Sequence, residues 1–360
     1  MKTSTQLLLA SSLTALLSST AFANVLHVQT GADDVPGSLR DTVAKAQSGD
    51  TVMIDSRLKT LKLTHEILID KSLTIQSNVM NPAQDRPTVD AQRLDRIFRI
   101  SHDKINVEIA GLNLVNGVRA RKDPNQNGRP SENNDFGGAL YVWGSQVQVN
   151  IHDVDFIGNS APNGGAIAAQ GPMYPAPQKI VLRNTVFKNN EAEYNGGAIF
   201  TMWSFLKIYD SQLSNNNAVY GGAIEPHYGC TNIYNSELTQ NHAEIKGGAI
   251  DNNGFVKMAN SVVQNNVADR SNGGLNAAYI LKFQGNVVDK NKAASNDNIG
   301  SIILLNSQGQ NKIGSLEPSS SSYTTIHLDK SDAVGSLNDP TILNVTSKSR
   351  YAFPPCTQED

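Results

Sequence analysis

The chain is 360 residues long with 30 bases, 33 acids and a formal net charge of −3, and it has no basic cluster dense enough to serve as a nucleic-acid footprint. Its 28 glycines are concentrated in a repeating pattern, and only two cysteines, Cys230 and Cys356, are present. These features favour one large repetitive core and exclude a cysteine-rich or zinc-spaced scaffold.

Residues 1–23 read as a secretory signal. Lys2 supplies the positive start, Leu7 to Leu17 a short apolar region, and Ala21-Phe22-Ala23 a small-residue cleavage site, so the mature chain is expected to begin at Asn24. The apolar stretch is too short to span a bilayer, and no later segment approaches eighteen apolar residues. The mature chain is therefore expected to lack a transmembrane segment.

Residues 24–50 are expected to cap the N-terminal end of the core. Ser38 precedes Asp41 by the spacing of a capping box, and Leu39, Val43 and Ala46 form an apolar stripe, which predicts a short helix over 38–48. Short strands follow at Thr51–Ile54, Ile67–Ile69, Ser72–Ile75, Ile97–Ile100 and Val107–Ile109, separated by polar turns. Arg119 to Asp135 is a long polar insertion, and Gly171 to Pro177 is a stiff proline-rich loop.

A paired-glycine element then recurs: Gly137-Gly138-Ala139-Leu140, Gly164-Gly165-Ala166-Ile167, Gly196-Gly197-Ala198-Ile199, Gly221-Gly222-Ala223-Ile224, Gly247-Gly248-Ala249-Ile250 and the weaker Gly273-Gly274-Leu275-Asn276. Successive pairs lie 27, 32, 25, 26 and 26 residues apart. Travelling in register is an apolar residue followed three positions later by asparagine, giving Asn159, Asn190, Asn216, Asn241, Asn266 and Asn291. Between the two elements the residues alternate, as in Lys179-Ile180-Val181-Leu182-Arg183. That is the pattern of a half-buried strand.

A fixed period with one variable loop predicts an all-β, single-stranded, right-handed parallel β-helix over residues 51–315, with roughly ten coils stacked about 4.8 Å apart. The glycines are expected at sharp turns needing positive φ. The asparagines are expected to form a hydrogen-bonded turn ladder along the axis. Residues 316–360 read as a serine-rich joint and a C-terminal tail or cap, and Cys230 and Cys356 form a candidate disulfide, with a buried free thiol at Cys230 as the alternative.

The Gly-Gly-Ala-Ile units paired with Phe156-Ile157-Gly158-Asn159 and Phe187-Lys188-Asn189-Asn190 resemble the repeats of chlamydial-type polymorphic outer membrane proteins, bacterial surface proteins of the pectin-lyase-like superfamily. The segment Gly37-Ser38-Leu39-Arg40-Asp41-Thr42-Val43 is similar to the start of many secreted β-helix proteins. The resemblance covers about residues 25 to 315 and implies passenger regions with adhesive roles. A C-terminal membrane barrel is not evident in the sequence. Export to the periplasm, the outer surface or the medium is expected.

Function is sought on the exterior of the coils. The first position after each glycine unit carries Tyr141, Ala168, Phe200, Glu225 and Asp251; the third carries Trp143, Gln170, Met202, His227 and Asn253; Trp203 and Tyr228 fall at the fourth. Tyr141, Trp143, Trp203 and Tyr228 are candidate ligand-binding residues, since aromatic faces stack on sugar rings. Glu225, Asp251 and His227 are weak catalytic candidates, because carboxylates on successive coils approach the separation used in glycoside hydrolysis. The alternative for Trp143 and Phe200 is packing in the core or under a loop.

No phosphate-cradling loop, serine nucleophile elbow or zinc-spaced histidine and cysteine set is present, so no cofactor or metal is expected. The reading that follows is an adhesin-like binding protein with a glycan or cell-surface partner. The alternative is a polysaccharide lyase or glycoside hydrolase acting on an acidic polysaccharide, and the third is a purely structural scaffold.

Overall fold

The computed structural model describes residues 23–79, 86–119, 135–172, 177–302, 304–318 and 325–337. Nearly all of the expected signal region, most of the loops Arg119–Asp135 and Gly171–Pro177, and the C-terminal tail with Cys356 lie outside the described residues. Every strand pairing is parallel, and the strands form one 27-stranded and one 5-stranded sheet. The molecule is a parallel β-helix.

The central coils have four short runs, the third supplied by the five-stranded sheet. In the coil beginning at Gln178, they are Gln178–Arg183, Val186–Lys188, Glu191–Asn195 and Ile199–Met202. We call these the first to fourth faces. First-face strands pair in register down the stack, with Lys179 beside Phe205, Phe205 beside Cys230 and Cys230 beside Phe255. Alternate side chains point inward, and Leu206, Ile208, Ile233, Val256 and Met258 join the central core. Like stacks on like: Phe156 and Phe187 lie 4.6 Å apart with rings 3° from parallel.

The Asn ladder runs through the turn between the second and third faces. The Oδ1 of Asn216 accepts from the backbone N and Nδ2 of Asn190 at 3.0 Å each, while Asn216 Nδ2 donates to Asn241 Oδ1 at 2.9 Å and Phe187 O at 3.1 Å. The same contacts join Asn159 to Asn190, Asn241 to Asn266 and Asn266 to Asn291. A second ladder lies at the other end of the second face, in the turn from the first face. The backbone N–H of Thr185, Ser211, Ser236, Ser261 and Asn286 donates to the side chain of Ser211, Ser236, Ser261, Asn286 and Asn311 in turn.

The two glycines of each pair have different tasks. The first has φ near +60°, as at Gly164 (65°), Gly196 (60°) and Gly221 (60°). The second does not, but a Cβ on Gly197 would come within 2.1 Å of Gly222 O on the next coil. One glycine makes the turn and the other lets coils stack. In the sixth copy the positive φ has moved to Asn272 (58°), so the turn is offset by one residue from the glycine pair.

At the N-terminal end a helix spans Leu39–Lys45, shorter than the predicted 38–48 because Ala46 is already extended. Asp41 N donates to Ser38 Oγ at 3.2 Å and Gly37 N to Asp41 Oδ2 at 2.7 Å, which ties down two otherwise unpaired amides. Leu39, Val43 and Ala46 are buried against the core.

Candidate functional site

The fourth face meets the third at the glycine turn, and side chains after the turn fold back over it. Glu225 illustrates this closeness, since a Cβ on Gly221 would stand 3.1 Å from Glu225 Cβ. Consequently the first-position row is outside the core yet covered. Tyr141 is 0% exposed, Glu225 3% and Asp251 1%.

Tyr141 is therefore corrected from a ligand-binding candidate to a packed residue. It clusters with Phe136, Ala168 and Phe200, and its ring lies 5.4 Å from that of Phe136 and 5.0 Å from the guanidinium carbon of Arg96. Burial raises its hydroxyl pKa. Arg96, also fully buried, donates to Gly137 O at 2.8 Å and pairs with Glu66 at 2.7 Å. Burial lowers its pKa to about 10, against the pull of Glu66, so it stays charged at neutral pH.

Farther along the row, the aromatic packing gives way to charge. His227 Nε2 lies 2.5 Å from Glu225 Oε1, and Asn253 Nδ2 lies 3.2 Å from the same nitrogen. Lys246 Nζ forms an ion pair with Asp251 Oδ2 at 3.3 Å, and Asn276 Nδ2 donates to Asp251 Oδ1. Glu225 Oε2 is buried and accepts no hydrogen bond.

Burial pushes the Glu225 carboxyl up to about 7, with the His227 hydrogen bond opposing and the charge of Asp251 assisting. Asp251 is likewise raised by burial and restrained by Lys246. A carboxyl that gains and loses a proton near neutrality, touching a half-buried imidazole, can move a proton to or from a bound molecule.

The exposed aromatics separate into two places. Trp203 and Tyr228 stack with centroids 4.6 Å apart and rings 15° from parallel, and the His227 ring stands 5.9 Å from Tyr228. Trp143, 42% exposed, pairs with Gln170, which pairs with Met202, placing it two coils from the stack. The structure thus groups Trp203, Tyr228, His227, Glu225 and Asp251, leaves Trp143 apart and buries Tyr141.

Both stacked aromatics sit at positive φ, 55° for Trp203 and 54° for Tyr228. Bulky side chains pay for that conformation with strain of about 1 kcal/mol or more. Where the chain passes from the fourth to the first face in other coils, Gly144, Gly171 and Gly254 are found. Next to the stack, a pocket is lined by Pro172, Pro177, Phe205, Cys230, Phe255 and Tyr279, among others. Cys230 is disulfide-bonded.

Lys246, Asn276 and Arg96 were absent from the sequence-derived site. Lys246 has a readable signal, since it directly precedes a glycine pair and so takes the same place as Asn163, Asn195 and Tyr220. Arg96 has none, because its partners, the backbone carbonyls of Phe136 and Gly137 and the carboxylate of Glu66, are distant in the chain.

Residues 153–170 and 184–202 match the model of the Chlamydia polymorphic membrane protein repeat. No curated protein matches the chain. Among solved structures, a mannuronic acid specific polysaccharide family 6 lyase from human gut microbiota aligns with 83% of this chain and 88% of its own at 12% identity, with a TM-score of 0.29. The class defined by fold and repeat is a parallel β-helix with polymorphic-membrane-protein-like coils.

Proposed function

We propose that the chain is an exported β-helix binding protein, surface-associated or periplasmic and adhesin-like, which recognises a glycan or another cell-surface partner at the fourth-to-first-face corner. The observation that carries this reading is the Trp203–Tyr228 stack. Tyr228 is 51% exposed, and two aromatics held at positive φ beside His227 and Asn253 offer a ring face flanked by hydrogen-bonding groups. The repeat match supports the surface role. Among the described residues no helix is long and apolar enough to cross a membrane, which says nothing of a β-barrel.

A glycan array probed with the mature protein tests this reading. Tyr228→Ala should weaken binding at least tenfold with little change in melting, and unchanged binding in both Tyr228→Ala and Trp203→Ala removes it. A second reading is favoured by the buried Glu225 in contact with His227: a polysaccharide lyase or glycoside hydrolase acting on an acidic polysaccharide. Release of unsaturated or reducing ends, lost in Glu225→Gln, would select it over simple binding.

A further inference from the structure

The turn between the third and fourth faces brings an amine and a carboxyl together on one coil. Lys246 and Asp251 flank Gly247-Gly248-Ala249-Ile250, and the bend sets Lys246 Nζ 3.3 Å from Asp251 Oδ2. One coil earlier the same two places hold Tyr220 and Glu225. Tyr220 pairs with Lys246, and the ammonium lies 5.9 Å from the centre of its ring. Glu225 lies beside Asp251, because Ile224 pairs with Ile250 and His227 with Asn253. An amine and two carboxyls therefore meet at one corner.

We propose that Lys246 and Asp251 join through a side-chain amide, formed within the folded chain with Glu225 as the proton carrier and Asn276 holding the reacting oxygen. Lys246 Nζ attacks Asp251 Cγ, and the bond from Cγ to Oδ2 breaks. Of the three ammonium protons, one stays on the amide nitrogen and two leave with Oδ2 as water. The step therefore needs no oxidant, reductant or co-reactant. Amine and carboxyl are already in contact, which removes much of the entropic barrier that the same condensation meets between separate molecules.

The surroundings supply what the step requires. Asn276 Nδ2 donates to Asp251 Oδ1, the oxygen on which negative charge develops at the tetrahedral stage, and Asn272 Nδ2 donates to Asn276 Oδ1 at 2.6 Å, which fixes the direction of that amide. Glu225 Oε1 is held by His227, while Oε2 is buried and accepts no hydrogen bond from the described residues. Oε2 is thus placed to take a proton from Nζ and return it to Oδ2. With its pKa raised by burial to about 7, Glu225 both accepts and gives up protons near neutrality. Asp251 is 1% exposed, and burying its charge is costly even when paired. Conversion of the ion pair into a neutral amide removes that cost and staples the third face to the fourth across the glycine turn.

The amide does not rest on the proposed function, and its readout is a mass rather than glycan binding or turnover. Trypsin digestion of the reduced and alkylated mature protein tests it. An unlinked chain is cut after Lys246 into Ile208–Lys246 and Gly247–Lys257. The amide blocks that cut, and a single Ile208–Lys257 peptide lighter by one water is expected, with the same deficit in the intact mass. Lys246→Arg and Asp251→Ala should each restore the full mass. In freshly folded Glu225→Gln the light form should appear at least about tenfold more slowly. Complete cleavage after Lys246, an intact mass with no water lost, or a water loss that persists in Lys246→Arg and so marks an imide at Asp251 would each overturn the proposal. Formation at the wild-type rate in folded Glu225→Gln would overturn it as well.

Discussion

Truncation of Asn216 to alanine tests the ladder directly. The Asn190 backbone N–H, 1% exposed with its residue, donates to Asn216 Oδ1 at 3.0 Å, and removal of that oxygen leaves it without the acceptor. An orphaned buried donor costs about 1–3 kcal/mol. Phe187 O also loses the Nδ2 donor at 3.1 Å, a net bond of about 1 kcal/mol. Asn190 Nδ2 keeps Phe156 O, and Asn241 Oδ1 keeps the Asn216 N–H, so those groups add little. The expected loss is about 2–4 kcal/mol. Urea unfolding of Asn216→Ala measures it, with Gln212→Ala, an exposed position on the same coil, as the control expected within about 0.5 kcal/mol. Hydrogen exchange should accelerate first at Asn190 and its neighbours, because a stacked array loses stability locally. Equal midpoints for the two variants would refute the claim that the ladder amides depend on side-chain acceptors.

Gly197→Ala should be more damaging than Gly158→Ala, because its Cβ meets Gly222 O at 2.1 Å while the nearest atom at Gly158 is 3.5 Å away and only the positive φ is strained. Comparable melting temperatures would show that the coils can separate freely. Glu225 gives a pH prediction. Its folded pKa of about 7 exceeds the ordinary 4.5, so the native state holds the extra proton between those values. Stability therefore falls as pH rises from about 4.5 through about 7. Glu225→Gln should flatten this part of the stability profile, and an unchanged slope in denaturant titrations at pH 5 and pH 8 would show that the buried carboxyl does not resist ionisation.

The parallel β-helix was legible because two constraints repeat in the letters themselves. Positive φ favours glycine and close stacking demands it, and buried turn amides in the first ladder are met by an asparagine at a fixed distance. The second ladder had an equally regular signal in Ser211, Ser236, Ser261, Asn286 and Asn311, spaced by 25 residues, but serine is common enough in turns to hide it. The site was harder to read. Alternation correctly separates Tyr141 and Glu225 from the core, but it does not say that the neighbouring face closes over them. That closure decides which side chains meet solvent, and it depends on the bend at Gly137 and Gly221 and on the reach of Lys246 and Arg96. The burial that perturbs Glu225 is thus a tertiary property, invisible to strand periodicity.

The regular second ladder also bears on how such a rod can change length. Ser211, Ser236 and Ser261 hold interchangeable places, each accepting at its hydroxyl oxygen from the amide above and donating its own amide to the side-chain oxygen below, that of Ser236, Ser261 and Asn286 in turn. Excision or duplication of one whole turn at these serines would rejoin like to like. Growth by genetic slippage is therefore cheap for the framework, whereas an insertion of any other size must be expelled as a loop.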